Sequence, residues 1–235
     1  MAGIVQFDNV GLRYGTGAET LAGLSFTLAA GSFHFLTGAS GAGKTSLINL
    51  ITLARRPSRG IVSLFGEDAA GLPRRRLPAL RRRIGVVHQD SRLVPQLSAY
   101  DNVALPLRIS GMAEREIGSR VEELLDWVGL RSRANARPAT LSGGEQQRIA
   151  IARAVITHPE LIVADEPTGN VDPEMAARVL HLFDTMNRQG TTVLIATHDV
   201  QLLQQISGAN IMRLAKGRID QFDGELRAPQ RAVAR

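Results

Sequence analysis

"GASGAGKT", residues 38–45, fits the pattern G-x-x-x-x-G-K-[ST] with an additional glycine at 41. It stands between an apolar run, "SFHFLTG" at 32–38, and a stretch whose spacing turns helical from Gly43 to Ala54. A glycine-rich turn that opens a helix points consecutive backbone N–H groups at one place, where the helix dipole favours an anion. With a lysine to reach the outer phosphates and a threonine hydroxyl to ligate Mg²⁺, the turn reads as a cradle for a nucleotide triphosphate. Its candidate binding residues are Gly38, Ala39, Ser40, Gly41, Ala42, Gly43, Lys44, Thr45 and Ser46.

A phosphate cradle needs a carboxylate for the metal and a group that positions water. "LIVADE", 161–166, supplies both: an apolar strand delivers Asp165 to the sheet edge as a Mg²⁺ ligand, and Glu166 orients or deprotonates the attacking water. Further apolar runs, "RGIVSLFGED" (59–68), "RIGVVHQD" (83–90) and "TTVLIATHD" (191–199), end in polar residues in the same way. All four read as buried parallel strands with chemistry at their carboxyl ends. "GIVQFDNVGLRYG" (3–15) and "LAGLSFTLAAG" (21–31) read as an antiparallel pair, and "ANIMRLAKGRIDQF" (209–222) as a hairpin around Lys216-Gly217.

Between these runs the pattern changes. "AEREIGSRVEELLDWVGL", 113–130, sets Ile117, Val121, Leu124, Leu125 and Val128 on one helical face with no strand on either side. The expected organisation is one domain over 1–225, with an α/β core at 1–95 and 159–225, a helical subdomain at 96–158 and a disordered basic tail at 226–235.

Bulk properties restrict the functional class. The 235 residues contain no cysteine, which excludes disulfides and thiolate metal sites. No apolar run is long enough to span a bilayer, and the N-terminus lacks the pattern of a secretory signal, so a cytosolic location is expected. The net charge of +6 and pI of about 10.8 suit an acidic partner, nucleic acid or an anionic leaflet. Aromatics at 4%, none interleaved with basic stretches, argue against a base-stacking nucleic-acid binder. Six arginines fall in "RRRLPALRRR", 74–83, expected to present a basic face to anionic lipid or an acidic protein surface.

"LSGGEQQR", 141–148, opens another helix with two glycines, each of which costs about 1 kcal/mol against alanine inside a helix. Ser142 and Glu145 fit a capping box, which leaves Gly143 and Gly144 unexplained. A helix start stripped of side chains presents bare N–H groups to an anion. Since the chain already has one cradle, this second anion site is expected to serve the nucleotide of another copy.

These residues closely resemble the signature of the ABC ATPase family, and the order of motifs agrees along nearly the whole chain. The resemblance implies a RecA-like P-loop NTPase fold, α/β with a mostly parallel core, an N-terminal antiparallel β subdomain and an inserted α-helical subdomain. It implies that Tyr14 stacks on adenine and that Gln89 touches Mg²⁺ and reports to a membrane partner. His198 holds the γ-phosphate end, and "GNVD", 169–172, with Asp172, forms the D-loop. Two copies sandwich two ATP·Mg²⁺. Glu166, His198 and Lys44 then act in catalysis, Thr45, Gln89 and Asp165 at the metal, and Ser142, Gly143, Gly144, Glu145 and Asp172 on the partner's nucleotide.

"FLTGASGAGKTSLINLI", "YDNVALPL", "LSGGEQQRIAIARAV" and "ADEPTGNVDP" together look most like the FtsE group, the cell-division ABC ATPases. "EPTGN" and "SGGEQQR" are shared with lipoprotein-release and macrolide-export ATPases, which remain an alternative. Membership of the cell-division group implies a peripheral subunit on the cytoplasmic face of the cell membrane, bound to an FtsX-like integral membrane subunit among divisome proteins. It also implies control of peptidoglycan hydrolases and no specific nucleic acid. The partner's coupling helix is expected in the cleft around residues 90–110, with Tyr100, Val103, Leu105 and Leu107 as contacts.

Overall fold

Two long runs with one apolar face open the chain, and they pair. The computed structural model describes residues 3–69 and 71–226. Strands β1 (Gly3–Arg13) and β2 (Glu19–Ala29) are antiparallel, paired from Gly3 opposite Ala29 to Arg13 opposite Glu19 with register shifts between Gly3 and Val5 and along Phe7–Arg13. Phe7 and Phe26 stack across them with ring centroids 4.6 Å apart, both fully buried.

Strand β4 (Arg59–Leu64) joins this same sheet, antiparallel to β1, instead of the parallel sheet expected for "RGIVSLFGED". Val62 and Leu64 are buried while Ile61 is 48% exposed. That is the alternation of a strand covered on one face, not the two-sided burial of a central parallel strand. The short strands β5 (Glu67–Asp68) and β11 (Glu225–Leu226) complete a five-stranded sheet in the order β11-β2-β1-β4-β5. Leu226, expected to begin the tail, instead pairs with Phe26, because the edge of β2 offers free backbone groups. The rest of the expected tail, 227–235, lies outside the described residues.

The second sheet has the order β10-β9-β3-β8-β7-β6. Strands β3 (Phe33–Thr37), β6 (Ile84–Val87), β7 (Leu161–Asp165), β8 (Thr192–Ala196) and β9 (Asn210–Ala215) are parallel. Strand β10 (Arg218–Phe222) returns as the antiparallel edge of the expected hairpin. Every residue of β7 and β8 is buried, as a strand covered on both faces requires. Helix α1 (Lys44–Ile51) packs Leu47 and Ile51 between the sheets, and α6 (Pro173–Arg188) packs Val179 and Phe183 on the outer face. Asp172 caps α6 by accepting from the Met175 amide, with Pro173 at the first position, as the sequence predicts.

Helices α3 (Ala99–Ile109), α4 (Glu114–Trp127) and α5 (Gly143–Val155) enclose a third cluster built on Val103, Leu107, Ile117, Val121, Leu125 and Val128. Helix α5 belongs to two clusters: Ile149 and Ala152 face the helices, while Ile151, Ala154 and Val155 face the parallel sheet. Any tilt of the helical layer is therefore felt by the sheet through α5.

The arginine run folds into a turn and α2 (Leu77–Arg81). Half of its arginines are tied to neighbouring groups at the surface. Arg76 pairs with Glu67 at 2.9 Å, and Arg83 grips Glu160 at 2.6 and 2.7 Å while its guanidinium lies 3.8 Å from the Phe65 ring centre. Arg81 donates to the Leu53 carbonyl at 2.7 Å. The uniform basic face expected from six arginines is thus reduced to Arg74, Arg75 and Arg82, with Arg81 keeping its charge against a neutral carbonyl.

Candidate active site

The loop after β3 turns into α1 at Gly43, whose φ of +109° is left-handed. A Cβ there would come within 2.7 Å of the Leu21 side chain, so glycine is required both for the turn and for its contact with β2. Ala42 is buried; its amide donates to the Ala39 carbonyl, and its carbonyl accepts from the Gly217 amide at 3.0 Å. The hairpin of β9 and β10 thereby backs the cradle. The Lys44 ammonium donates to the Gly38 and Ala39 carbonyls at 2.7 and 3.3 Å, which holds it across the mouth of the loop.

Strand β7 brings Asp165 to the same edge, where the Thr45 hydroxyl donates to its Oδ2 at 2.9 Å. Burial raises the Asp165 pKa, opposed by the Thr45 hydrogen bond. A desolvated carboxylate and a hydroxyl, side by side and open to a cleft, are a donor set suited to a hard divalent cation. Among the described residues no three His, Cys, Asp or Glu cluster as a self-sufficient metal site. A cation at Thr45 and Asp165 would draw its remaining ligands from outside that pair, and Gln89 lines the same cleft.

Glu166 follows with φ of +49°, a conformation that costs a non-glycine residue on the order of 1 kcal/mol. Its amide is held by the Ala196 carbonyl at 2.9 Å, and its carboxylate lies 2.7 Å from His198 Nδ1. A cleft of about 620 Å³ gathers Gly38, Ala39, Ser40, Gly41, Gly43, Lys44, Thr45, Ser46, Gln89, Asp165, Glu166 and His198. Thr20, at the start of β2, also lines it, and nothing in the local sequence marked it.

A protein-family model described as ABC transporter matches residues 21–169. The chain belongs to the ABC transporter family. Among its relatives, the cell division ATP-binding protein FtsE of Haemophilus influenzae is 46% identical over 203 residues, 86% of this chain and 93% of that one. FtsE of Streptococcus pneumoniae is 38% identical over 94% of this chain and 97% of its own length. Among solved structures, the dimeric post-hydrolysis state of the ATP-binding cassette MJ0796 bound to ADP and Pi superposes with a TM-score of 0.88. It is 33% identical, and the match covers 95% of this chain and 99% of that one. The fold expected from the motifs is therefore the fold observed.

Within this ABC ATPase, Tyr14 sits just beyond the cradle, 40% exposed, with its hydroxyl 3.1 Å from Ser46 Oγ and the Arg55 guanidinium carbon 5.1 Å from its ring centre. Ser142, Gly143, Gly144, Glu145 and Asp172 do not line the cleft of their own chain. The capping box is complete: the Glu145 amide donates to Ser142 Oγ at 3.2 Å, and the Ser142 amide to Glu145 Oε2 at 2.7 Å. That bond lowers the Glu145 pKa, and the Met175 amide lowers that of Asp172.

The two glycines have different reasons. A Cβ on Gly144 would lie 2.8 Å from the Asn170 carbonyl oxygen, a backbone atom of the same chain, so packing against residues 169–172 already demands glycine there. A Cβ on Gly143 would meet nothing within 4 Å. Only Gly143 retains the reading that both were given from sequence, a bare backbone with no reason inside its own chain.

Of the four residues expected to meet a coupling helix, Val103 is fully buried and Leu107 is 2% exposed; both belong to the helical core, while Tyr100 and Leu105 are partly exposed. A buried network behind Gln89 was not legible. Ser91 Oγ donates to Gln147 Oε1 at 2.8 Å, and Gln147 Nε2 donates to the Pro167 carbonyl at 3.3 Å. Arg153 donates to the Ser91 and Arg92 carbonyls at 2.8 and 2.9 Å. Ser91 and Arg92 both have positive φ, 56° and 46°, and the clamp holds this strained segment in place.

Proposed function

We propose that this chain is the ATP-hydrolysing subunit of a cell-division ABC complex. The observation that carries the reading is that Lys44, Thr45, Gln89, Asp165, Glu166 and His198, drawn from the ends of several strands, line one cleft.

In this reading the loop amides and Lys44 bind the β- and γ-phosphates of ATP, Tyr14 supports the adenine, and Thr45, Asp165 and Gln89 hold Mg²⁺. The metal, when bound there, would offset the charge on the phosphate oxygens. Glu166, fixed by its strained backbone and by His198, positions a water in line with the γ-phosphorus and accepts its proton. Lys44 and His198 stabilise the charge that develops on the phosphoryl oxygens. A second copy, arranged head to tail as a homodimer, completes the pocket with Ser142, Gly143 and Gly144 at the γ-phosphate. Loss of product opens the pair.

The opening motion passes through Gln89 and the helical layer to an FtsX-like membrane subunit at the cytoplasmic face, and so to peptidoglycan hydrolases across the membrane. The relatives' names support the division role over lipoprotein or macrolide export. No helix among the described residues is long and apolar enough to cross a membrane, which fits a peripheral subunit. Purification of the tagged full chain from detergent-solubilised membranes tests the assignment. Recovery of a four-span subunit whose depletion blocks division supports it, and recovery of an exporter contradicts it. Lys44→Ala should abolish ATP binding, and retained binding would place the phosphate site elsewhere.

A further inference from the structure

A pocket of about 330 Å³ opens between the end of α1, β4 and α2, and it shares no residue with the nucleotide cleft. Leu53, Val62 and Leu77 form its apolar part. Four arginines line it, Arg55 and Arg56 from the segment after α1 and Arg74 and Arg81 from the run around α2. Among the described residues no acid does.

Three neighbours on the same two segments are neutralised: Arg59 by Glu19, Arg76 by Glu67 and Arg83 by Glu160. The carboxyl end of a helix attracts cations, and Arg81 answers that demand at α1 by donating to the Leu53 carbonyl at 2.7 Å. Arg55 is engaged as well, its guanidinium carbon 5.1 Å from the Tyr14 ring centre. Among the described residues the Arg56 and Arg74 side chains form neither hydrogen bond nor ion pair. The frame around them is fixed. Leu53 holds a left-handed φ of +57°, the Arg55 amide donates to the Asn49 carbonyl at 2.9 Å, and Pro57 restricts the chain beyond Arg56.

Guanidinium groups gathered around a concave, partly apolar site repel one another, and an anion entering it relieves that repulsion. Phosphate suits this set better than carboxylate. Each guanidinium presents a planar fork of donors, and a phosphate has oxygens for several forks where a carboxylate has two.

We propose that this pocket binds a phosphate group carried on an uncharged body, from either a phospholipid headgroup or a soluble phosphate ester. The phosphate oxygens meet Arg56 and Arg74, which are exposed and within reach of either source, and the body lies against Val62 and Leu77. The site uses none of the residues that the ATPase reading uses, so it stands or falls separately.

The test gives the purified full chain both phosphate sources. Co-sedimentation with phosphatidylcholine vesicles containing about one-third phosphatidylglycerol measures binding of the lipid headgroup. Titration of the isotope-labelled Lys44→Ala chain with glycerol phosphate, followed at the arginine Nε–H signals, measures the soluble ester with the nucleotide cleft disabled. Arg56→Gln/Arg74→Gln should weaken binding about tenfold or more in whichever arm binds. Arg115→Gln/Arg188→Gln removes the same charge from exposed positions on α4 and α6 and should leave binding unchanged. Glycerate, the carboxylate counterpart, should bind about tenfold or more weakly than glycerol phosphate. Vesicle binding alone assigns the lipid source, and glycerol phosphate binding assigns the ester. The proposal is overturned if neither source binds, if Arg56→Gln/Arg74→Gln binds as the parent does, if the control pair loses as much, or if glycerate matches glycerol phosphate. ATP hydrolysis should be unchanged in Arg56→Gln/Arg74→Gln, so failure here is distinct from failure of the proposed function.

Discussion

His198 Nδ1 lies 2.7 Å from Glu166 Oε1, a contact between residues at the ends of neighbouring strands β8 and β7. The histidine side chain is 78% exposed and the glutamate 13%. The pair spans the boundary between solvent and site, with the carboxylate held inside and the imidazole steering it. Glu166→Gln keeps the shape but loses the proton acceptor. ATP hydrolysis should fall by about a hundredfold or more, and an ATP-loaded dimer should accumulate, measured by phosphate release and light scattering. His198→Ala should slow hydrolysis by roughly ten- to a hundredfold with nucleotide affinity changed only a few-fold. Full activity of His198→Ala would remove the steering role.

Gly143 and Gly144 separate folding from assembly. Gly144→Ala drives a methyl into the Asn170 carbonyl and should lower stability by about 1–3 kcal/mol in urea titrations without nucleotide. Gly143→Ala meets open space and should leave stability unchanged or raise it by up to about 1 kcal/mol, yet impair ATP-driven dimerisation and hydrolysis. Normal hydrolysis by Gly143→Ala would refute an anion site there.

Arg153 fastens the loop that carries Gln89 to α5. Arg153→Met leaves the Ser91 and Arg92 carbonyls without their donor, and should cost about 2–3 kcal/mol of stability by urea unfolding. Because the released loop includes Gln89, the KM for ATP should rise as well. Arg153→Lys, which keeps the charge and part of the bonding, should recover part of both.

His34, on β3, gives the fold an acid sensitivity of its own. It is 2% exposed, and its Nε2 lies 2.6 Å from Ser32 Oγ, whose proton is already donated to the Ala29 carbonyl. Nε2 therefore donates, and Nδ1 is a buried acceptor without a partner. Burial lowers the His34 pKa to about 4. The unfolded chain takes up this proton near pH 6.5 and the folded chain only near 4, so stability falls as pH drops between those values, by about 2 kcal/mol by pH 5. Urea midpoints for the wild type should follow that slope, and His34→Leu should flatten it. A parallel slope in both would assign the effect to other groups.

How much was legible in the sequence depended on the range of the interactions involved. The cradle at 38–45, the acidic strand end at 165–166, the capping box at 142–145 and the cap at Asp172 are local patterns, and each stands where its spacing places it. Strand β4 was misplaced because "GIVSL" is apolar enough for either sheet; only its partner β1 decides which face is covered. The demand for glycine at 144 comes from Asn170, and that of Arg153 for its place from carbonyls some sixty residues away, so no window of sequence contains them. The arginine run read as one face because its counterions, Glu67 and Glu160, lie on other elements.

The central claim is that each copy completes its partner's nucleotide pocket, and the absence of cysteine allows a direct measurement. Ser40→Cys/Ser142→Cys, placed in the Glu166→Gln background, should be joined between chains by a short bifunctional maleimide when ATP and Mg²⁺ are present, and not without them. A nucleotide-loaded dimer in which these two positions never cross-link would contradict the shared pocket.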